Sequence, residues 1–268
     1  MPRIELGPLG AVISPAPDPV TTAAAAAEVE GAGFPTIWLA GGALESLEQV
    51  TAAVTATRSA RIGTAIISVD RFGAADVASR YADLQGEHPG RFVVGLGGAH
   101  GAKPLATLRA YLDTLDTVPR ESIVLSALGP RMLELARDRS SGAIPVLVTP
   151  EYAARARETL GDDATLAVQL MVVLETDAER ARAAARQPLS FLRQVPGYSA
   201  NFRRMGFTDD DIEQLSDRIV DALVAWGDGD EIAARVAQFH AAGADHVTVM
   251  PLVTDPSPWK ALGSALLR

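Results

Sequence analysis

Short apolar runs alternate with longer Ala-rich amphipathic stretches along almost the whole chain, and this alternation restricts the fold more than any other feature. Each pair reads as a strand followed by a helix that carries the chain back to start a parallel strand, so the pattern predicts repeated βα units. Eight strand candidates stand out: Leu9–Ser14, Thr36–Ala40, Ile62–Ser68, Phe92–Gly97, Ile123–Ala127, Ile144–Val148, Leu166–Leu174 and His246–Pro251. Among the intervening stretches, Asp76–Gln85, Pro130–Arg139 and Asp230–Ala241 carry apolar residues at the three- and four-residue spacing of a one-sided helix. Eight such units suit a closed α/β (β/α)8 barrel, a TIM barrel, with an open doubly wound sheet as the alternative. The chain has 268 residues, and a barrel of roughly 250 residues uses nearly all of it. No linker or composition break interrupts it, so residues 1–268 are read as one domain. The longest connection, Asp177 to Ala242, breaks the simple rhythm. Its middle, PGYSANFRRMGFTDDDIEQLSDR, predicts extra helices between strands seven and eight, with Asp209–Asp211 at a helix start where acids suit the dipole.

Composition removes several classes of function. There is no cysteine, which excludes disulfides, thiolate catalysis and Cys-based zinc sites and fits a cytoplasmic protein. No apolar run approaches the roughly 18–20 residues of a membrane span, and no leader pattern opens the chain. A net charge of −9 opposes a phosphate-neutralising surface, so nucleic acid is not an expected partner. An anionic cofactor would need a local cluster of Arg or Lys. The expected partner is a small-molecule substrate.

In a parallel barrel the chemistry gathers where the strands end at their C-termini, and that rule sorts the polar residues. Gly41 and Gly42 follow strand two. Ser68, Asp70 and Arg71 follow strand three. Gly98, Ala99 and His100 follow strand four. Leu128, Gly129, Pro130 and Arg131 follow strand five, and Glu175 follows strand seven. Of the four histidines, His88, His240 and His246 fall at the other end or outside, and His100 alone falls at the mouth. His100 is therefore either a catalytic group or a loop-capping, solvated side chain. One histidine without cysteine argues against a catalytic zinc, while an all-carboxylate magnesium site stays open. GLGGAHG follows a strand, but its third glycine is misplaced for a dinucleotide fingerprint, and Asp113 and Asp116 lie in a helix rather than at a strand end. The lack of side chains at Gly97 and Gly98 is read instead as room for a flat ring. ALGPRMLELAR offers a helix start aimed at the mouth, with Gly129 free to take an unusual backbone angle, Pro130 in the first turn, and the amides up to Met132 beside Arg131. It is an anion site or an ordinary helix start.

Together EGAGFPTIWLAGG, RIGTAII, HPGRFVVGLGGAHG, ALGPRMLELAR, VTPEYAARARE, GFTDDDI, ALVAWGD and AGADHVTVMP resemble, in order and over almost the whole chain, the luciferase-like oxidoreductases that use the deazaflavin coenzyme F-420. The resemblance implies a barrel holding a reduced flavin-like ring at its mouth, with a flavin mononucleotide (FMN) monooxygenase or a non-catalytic relative as the other readings on this fold. It implies a cis peptide bulge in strand three, here at Ala65 and Ile66, backing the ring. Gly97, Gly98 and His100 would lie along the cofactor, and Leu128, Gly129, Pro130, Arg131 and Met132 would take its phosphate. It also implies a homodimer, and the Ala-rich helices after strands two and three offer small, closely packable faces for one. Two departures stand out. Gly41 and Gly42 replace an acid and a histidine that many relatives carry after strand two, and the connection AHGAKPLATL after strand four is short. Few titratable groups then remain near the ring. His100 is the expected proton donor or acceptor, with Asp70, expected to pair with Arg71, and Glu175 as its rivals.

Overall fold

The computed structural model describes residues 4–267. In chain order its elements are β1 (Leu9–Ile13), α1 (Pro19–Gly31), β2 (Thr36–Ala40), α2 (Glu48–Ala56), β3 (Arg61–Ala65), β4 (Ile67–Ser68), α3 (Ala74–Glu87), β5 (Phe92–Gly97), α4 (Pro104–Thr114), β6 (Ile123–Leu125), α5 (Pro130–Arg139), β7 (Gly142–Ala143), α6 (Pro150–Leu160), β8 (Thr165–Leu174), α7 (Ala178–Leu192), α8 (Pro196–Arg204), α9 (Asp209–Gln214), α10 (Asp217–Leu223), β9 (Val224–Gly227), α11 (Gly229–Ala241), β10 (His246–Pro251) and α12 (Trp259–Leu266). Every strand pairing is parallel. The sheet runs from β1 through β2, β3, β5, β6 and β7 to β8, and closes through β10, which pairs with both β8 and β1. This is the eight-stranded barrel that the alternation predicts, and closure removes the open-sheet alternative.

Alternation along each strand sorts the two faces. Ile37, Leu39, Phe92, Val94, Leu96, Leu166, Val168, Val247 and Val249 point outward into the main core against the helices. Val12, Trp38, Val93, Val124, Ile144 and Ala167 fill the barrel interior. At the interior's lower end Trp38 donates its indole N–H to His246 Nε2 at 3.1 Å, so His246 must carry its proton on Nδ1, which donates to the Gly7 carbonyl at 2.7 Å. The Trp38 ring leaves no room for a side chain at position 63. A Cβ there would lie 2.3 Å from it, which is why the neighbouring strand carries Gly63.

Three strand expectations need correction. Strand three is not continuous over Ile62–Ser68. It splits into β3 and β4 around a cis peptide bond between Ala65 and Ile66, where the resemblance implied one. Strand six lies at Gly142–Ala143 rather than Ile144–Val148. Gly142 brings the chains together, since a Cβ there would sit 1.9 Å from the Thr165 carbonyl oxygen. Beyond it, Pro145 lacks the N–H a ladder needs, Leu147 turns into the left-handed region at φ 57°, and only Val146 bridges to Gln169. The third correction is β9, a strand inside the long connection, where the pattern predicts only extra helices. β10 already occupies one edge of β8 through Val172, so β9, pairing with Met171–Leu174, takes the other edge above the short β7.

Helices α8, α9 and α10 occupy the long connection. α9 starts with a capping box, Thr208 and Asp211 exchanging side-chain and backbone hydrogen bonds, and Asp209–Asp211 form its first turn. Phe202, Phe207, Ile212, Ile219 and Val220 bury against Leu147, Met171 and Val173, which seats this subassembly over the β7–β8 side of the mouth.

Candidate functional site

Small inward side chains, with Ile66 and Met250, line the mouth. Ala40, Ala65, Ile66, Ser126 and Met250 are half-buried around it, and Gly97 lies among them. The glycines have a different cause from the one read in the sequence. A Cβ on Gly97 would lie 2.8 Å from Ser126 Cβ and 3.2 Å from Ile66 Cγ1, and one on Gly98, at φ +70°, would lie 2.7 Å from Ser68 Oγ. Both are demanded by the chain's own packing. Gly101 has open space around it. Gly41 is demanded in the same way, because its Cβ would fall 2.0 Å from the Ile66 carbonyl oxygen. No acid or histidine can stand at position 41 unless Ile66 moves, whereas Gly42 is exposed with nothing within 4 Å.

His100 and Asp70 come together from consecutive loops. Asp70 Oδ2 accepts the His100 backbone N–H at 2.8 Å and contacts His100 Nδ1 at 3.1 Å. The expected partner Arg71 instead stacks over Phe72, 5.7 Å from the ring centre. With Nδ1 on the carboxylate, His100 Nε2 is the nitrogen left for a substrate. Both side chains reach solvent, at 66% and 38% exposure, so the pair is a surface dyad and not a buried relay. Glu175 is committed elsewhere. It binds Arg180 at 2.7 and 2.9 Å and the Asp177 backbone N–H, and the hydrogen bond from Arg180 leads in pulling its carboxyl down to about 2.

The loop after β6 is pinned by Tyr152, whose hydroxyl lies 3.1 and 2.9 Å from the Ala127 and Leu128 carbonyls. Burial pushes that phenol well above its ordinary range. Gly129 caps α5 with ordinary extended backbone, φ −91° and ψ 157°, so it needs no special angle. The anion set is also smaller than the sequence suggested. Met132 N–H already donates to the Gly129 carbonyl at 3.0 Å and Pro130 has no N–H, which leaves the amides of Gly129 and Arg131. Leu128 and Met132 pack against the core from this loop. Exposed Arg131 follows on the helix. A second cation was not found from sequence. Arg204, at the end of α8, places Nη2 3.7 Å from where a Cβ of Gly129 would stand, and Asn201 Oδ1 holds it at 3.2 Å. The long connection thus brings a second arginine to the helix start that carries Arg131. The only sequence cue was a pair of arginines before MGF, with no spacing rule to tie them to Gly129.

A cavity of about 670 Å³ opens between the ends of α5 and α6, lined in part by Arg120, Arg137, Leu160 and Asp163. It sits where the strands begin, away from the loops that carry chemistry in such barrels. Among the described residues no group of three or more His, Asp or Glu is placed to hold a metal ion, and no helix is long and apolar enough to cross a membrane.

Comparison with known proteins agrees with this architecture. The luciferase-like monooxygenase family model matches residues 103–246, and the chain belongs to that family. One curated relative, assigned as a coenzyme F-420-dependent oxidoreductase of Mycobacterium tuberculosis, is 24% identical across 83% of this chain and 88% of its own length. Among solved structures, an F-420-dependent secondary alcohol dehydrogenase in complex with an F-420–acetone adduct superposes with a TM-score of 0.76 at 16% identity, covering 98% of this chain and 99% of that one. The F-420-dependent tetrahydromethanopterin reductase of Methanopyrus kandleri gives 0.73 at 15% identity, with 98% and 99% covered. The oxygenating component of a Pseudomonas putida diketocamphane monooxygenase, in complex with FMN, gives 0.68 at 14%, with 96% of each chain covered. At these identities the structural likeness concerns the fold.

Proposed function

We propose that this chain is an oxidoreductase that uses the deazaflavin coenzyme F-420 and moves hydride between the reduced coenzyme and a small organic substrate. The observation that carries the reading is the mouth itself. Small side chains from Ala40, Ala65 and Ser126 leave space for a flat ring, a two-arginine helix start lies on one side, and the Asp70–His100 dyad stands on a loop at the same end. These residues fit such a group: Gly129, Arg131 and Arg204 would hold its phosphate, and Ile66, Gly97 and Gly98 would back its ring. When bound, the coenzyme supplies the hydride chemistry. The protein supplies position, and His100 Nε2 gives or takes the proton on the substrate. The M. tuberculosis relative supports F-420 as the coenzyme.

The FMN-bound Pseudomonas neighbour supports the second reading, an FMN monooxygenase on the same barrel. Titration of purified protein with coenzyme F-420 and with FMN, read by absorbance and fluorescence, separates the two. Tighter binding of F-420 is expected, and tighter binding of FMN moves the assignment to the monooxygenase. We further read the chain as one cytoplasmic barrel domain that assembles as a homodimer through α2 and α3, where Ala75, Ser79, Ala82 and Gly86 leave α3 with a small-residue exposed face.

A further inference from the structure

Two residues away from the His246 contact, the barrel interior holds a polar pair that no part of the fold uses. Thr248 on β10 and Gln169 on β8 are directly paired in register. Ala167, two residues before Gln169, fills the barrel interior, and Met171, two after it, packs with the apolar cluster over the mouth. Thr248 lies correspondingly between His246 and Met250. Both side chains therefore point into the barrel, one layer beneath the rim. Thr248 is fully buried, and its Oγ1 has no hydrogen-bond partner. Gln169 is 7% exposed. Its backbone is held from both edges, by the register with β10 and by Val146 on the other side with its N–H on the Pro145 carbonyl, yet its side-chain amide bonds to no other described residue. The surrounding interior residues Val12, Trp38, Val124 and Ile144 are apolar or already satisfied.

A buried polar group without a partner costs stability, so native interiors rarely keep one without a use. Here Thr248 Oγ1 is such an atom, and the unbonded Gln169 amide stands beside it on the adjacent strand, under a mouth lined by small side chains with Ile66 and Met250. The pair offers an amide donor, an amide acceptor and a hydroxyl able to serve as either. That set matches the alternating carbonyl, N–H and carbonyl of a cyclic imide. We propose that Gln169 and Thr248 form the polar floor of the site and bind the imide edge of the ring, the pyrimidinedione portion that deazaflavins and flavins share. This rests on the function proposed above and adds to it the residues that read the ring.

The test uses the full chain and chromophores without phosphate, so the Arg cluster plays no part. Thr248→Val and Gln169→Met keep shape and remove the polar atoms. Parent and variants are titrated with the phosphate-free 8-hydroxy-5-deazaflavin riboside analogue, with riboflavin, and with the N3-methyl derivative of each, and the ligand-free proteins are melted. The parent is expected to bind the N3-methyl ring at least tenfold more weakly than the unmethylated one. Each variant is expected to lose at least tenfold for the unmethylated ring, and Gln169→Met should shrink the methylation penalty to threefold or less. The ligand-free melting temperature should stay level or rise, because an unpaired buried group has gone. A structural pair would instead lower it by several degrees in both variants, and that result overturns the assignment. Unchanged affinities in both variants, or a harmless N3-methyl group, also overturn it while leaving the proposed coenzyme in place. A parent that binds neither ring removes both. The tighter of the two unmethylated chromophores identifies the ring's source.

Discussion

Gly41 sets the sharpest steric test of the site. A Cβ added there would stand 2.0 Å from the Ile66 carbonyl oxygen, whereas real Cβ atoms essentially never approach within 3.0 Å, so one of the two must yield by at least 3.0 − 2.0 = 1.0 Å. Backbone on both sides makes that expensive. Overpacking of this kind costs about 1–3 kcal/mol, offset by about 0.4–1 kcal/mol from the lower entropy of an unfolded chain with Ala in place of Gly. The net loss for Gly41→Ala is about 1–2 kcal/mol, which in a chain of this size lowers the melting temperature by roughly 2–8 °C. Ile66 lies at the mouth, so the same shift deforms the surface meant to back the ring, and affinity for coenzyme F-420 should fall about tenfold. Gly42→Ala is the control. Nothing lies within 4 Å of its Cβ, so its effect stays within about 0.5 kcal/mol. Thermal melting and fluorescence titration of both variants decide the matter. A Gly41→Ala protein that melts within a degree of the parent and binds the coenzyme equally would refute the argument from Ile66.

Arg204→Ala and Arg131→Ala should each weaken coenzyme F-420 by about 1–3 kcal/mol while leaving a phosphate-free deazaflavin unaffected. Isothermal titration with both ligands checks this, and equal losses for the two would remove the arginines from the phosphate. His100→Gln, and to a lesser degree Asp70→Asn, should slow single-turnover oxidation of the reduced coenzyme by about a hundredfold with little change in coenzyme affinity. An unaltered rate in His100→Gln would return His100 to a solvated loop residue. His246 is held neutral, burial lowering its pKa from 6.5 to about 4. The unfolded chain then takes up a proton that the folded chain refuses, so the stabilising difference is complete above pH 6.5 and is lost as pH falls toward 4. Over 2.5 units it amounts to about 3 kcal/mol. Melting curves between pH 4 and 7 should show this slope in the parent and a flatter one in His246→Gln. Sedimentation should show a dimer at micromolar concentration.

The strands most visible in the sequence are those whose outward face is a run of Ile, Leu, Val and Phe. Thr36–Ala40, Phe92–Gly97 and His246–Pro251 begin and end where the pattern said. Gly142–Ala143 carries no such run. It is a strand because Gly142 lets two backbones meet, which depends on Thr165, 23 positions away. Val224–Gly227 was hidden because a short strand that caps one edge of β8 needs only local apolar residues, and VAW within a helical region reads as helix. At the site, the strand-end rule placed His100 and Asp70 at one end of the barrel, but not on each other, since nothing local distinguishes a carboxylate that takes His100 from one that takes its neighbour Arg71. Arg204 lies 75 positions from Gly129, and only the packing of α8 over the mouth joins them. Gln169 and Thr248 did leave a trace, as polar residues at inward positions of largely apolar strands, in company with Thr165 and His246. The missing information was whether each had a partner.

That last question separates two neighbouring side chains of β10. On β10, His246 and Thr248 point into the same interior, two residues apart. His246 spends both ring nitrogens, one on Trp38 and one on the Gly7 carbonyl, and the Trp38 ring in turn fills the space that Gly63 vacates. The polar atoms of His246 and Trp38 are matched within the chain, although the Thr165 hydroxyl at the start of β8 is buried without a partner. One layer nearer the mouth and on the same rigid strands, Thr248 Oγ1 has no match, and the Gln169 amide beside it bonds to no other described residue. Strand pairing fixes both layers equally, so the contrast does not come from backbone geometry. It comes from the side chains opposite. Trp38 and Gly63 close the lower layer, while the upper one lies beneath the small residues Gly97, Ala40, Ala65 and Ser126, with Ile66 and Met250 beside them. The same inward alternation that fills the core therefore also positions the two groups proposed above to face the ring.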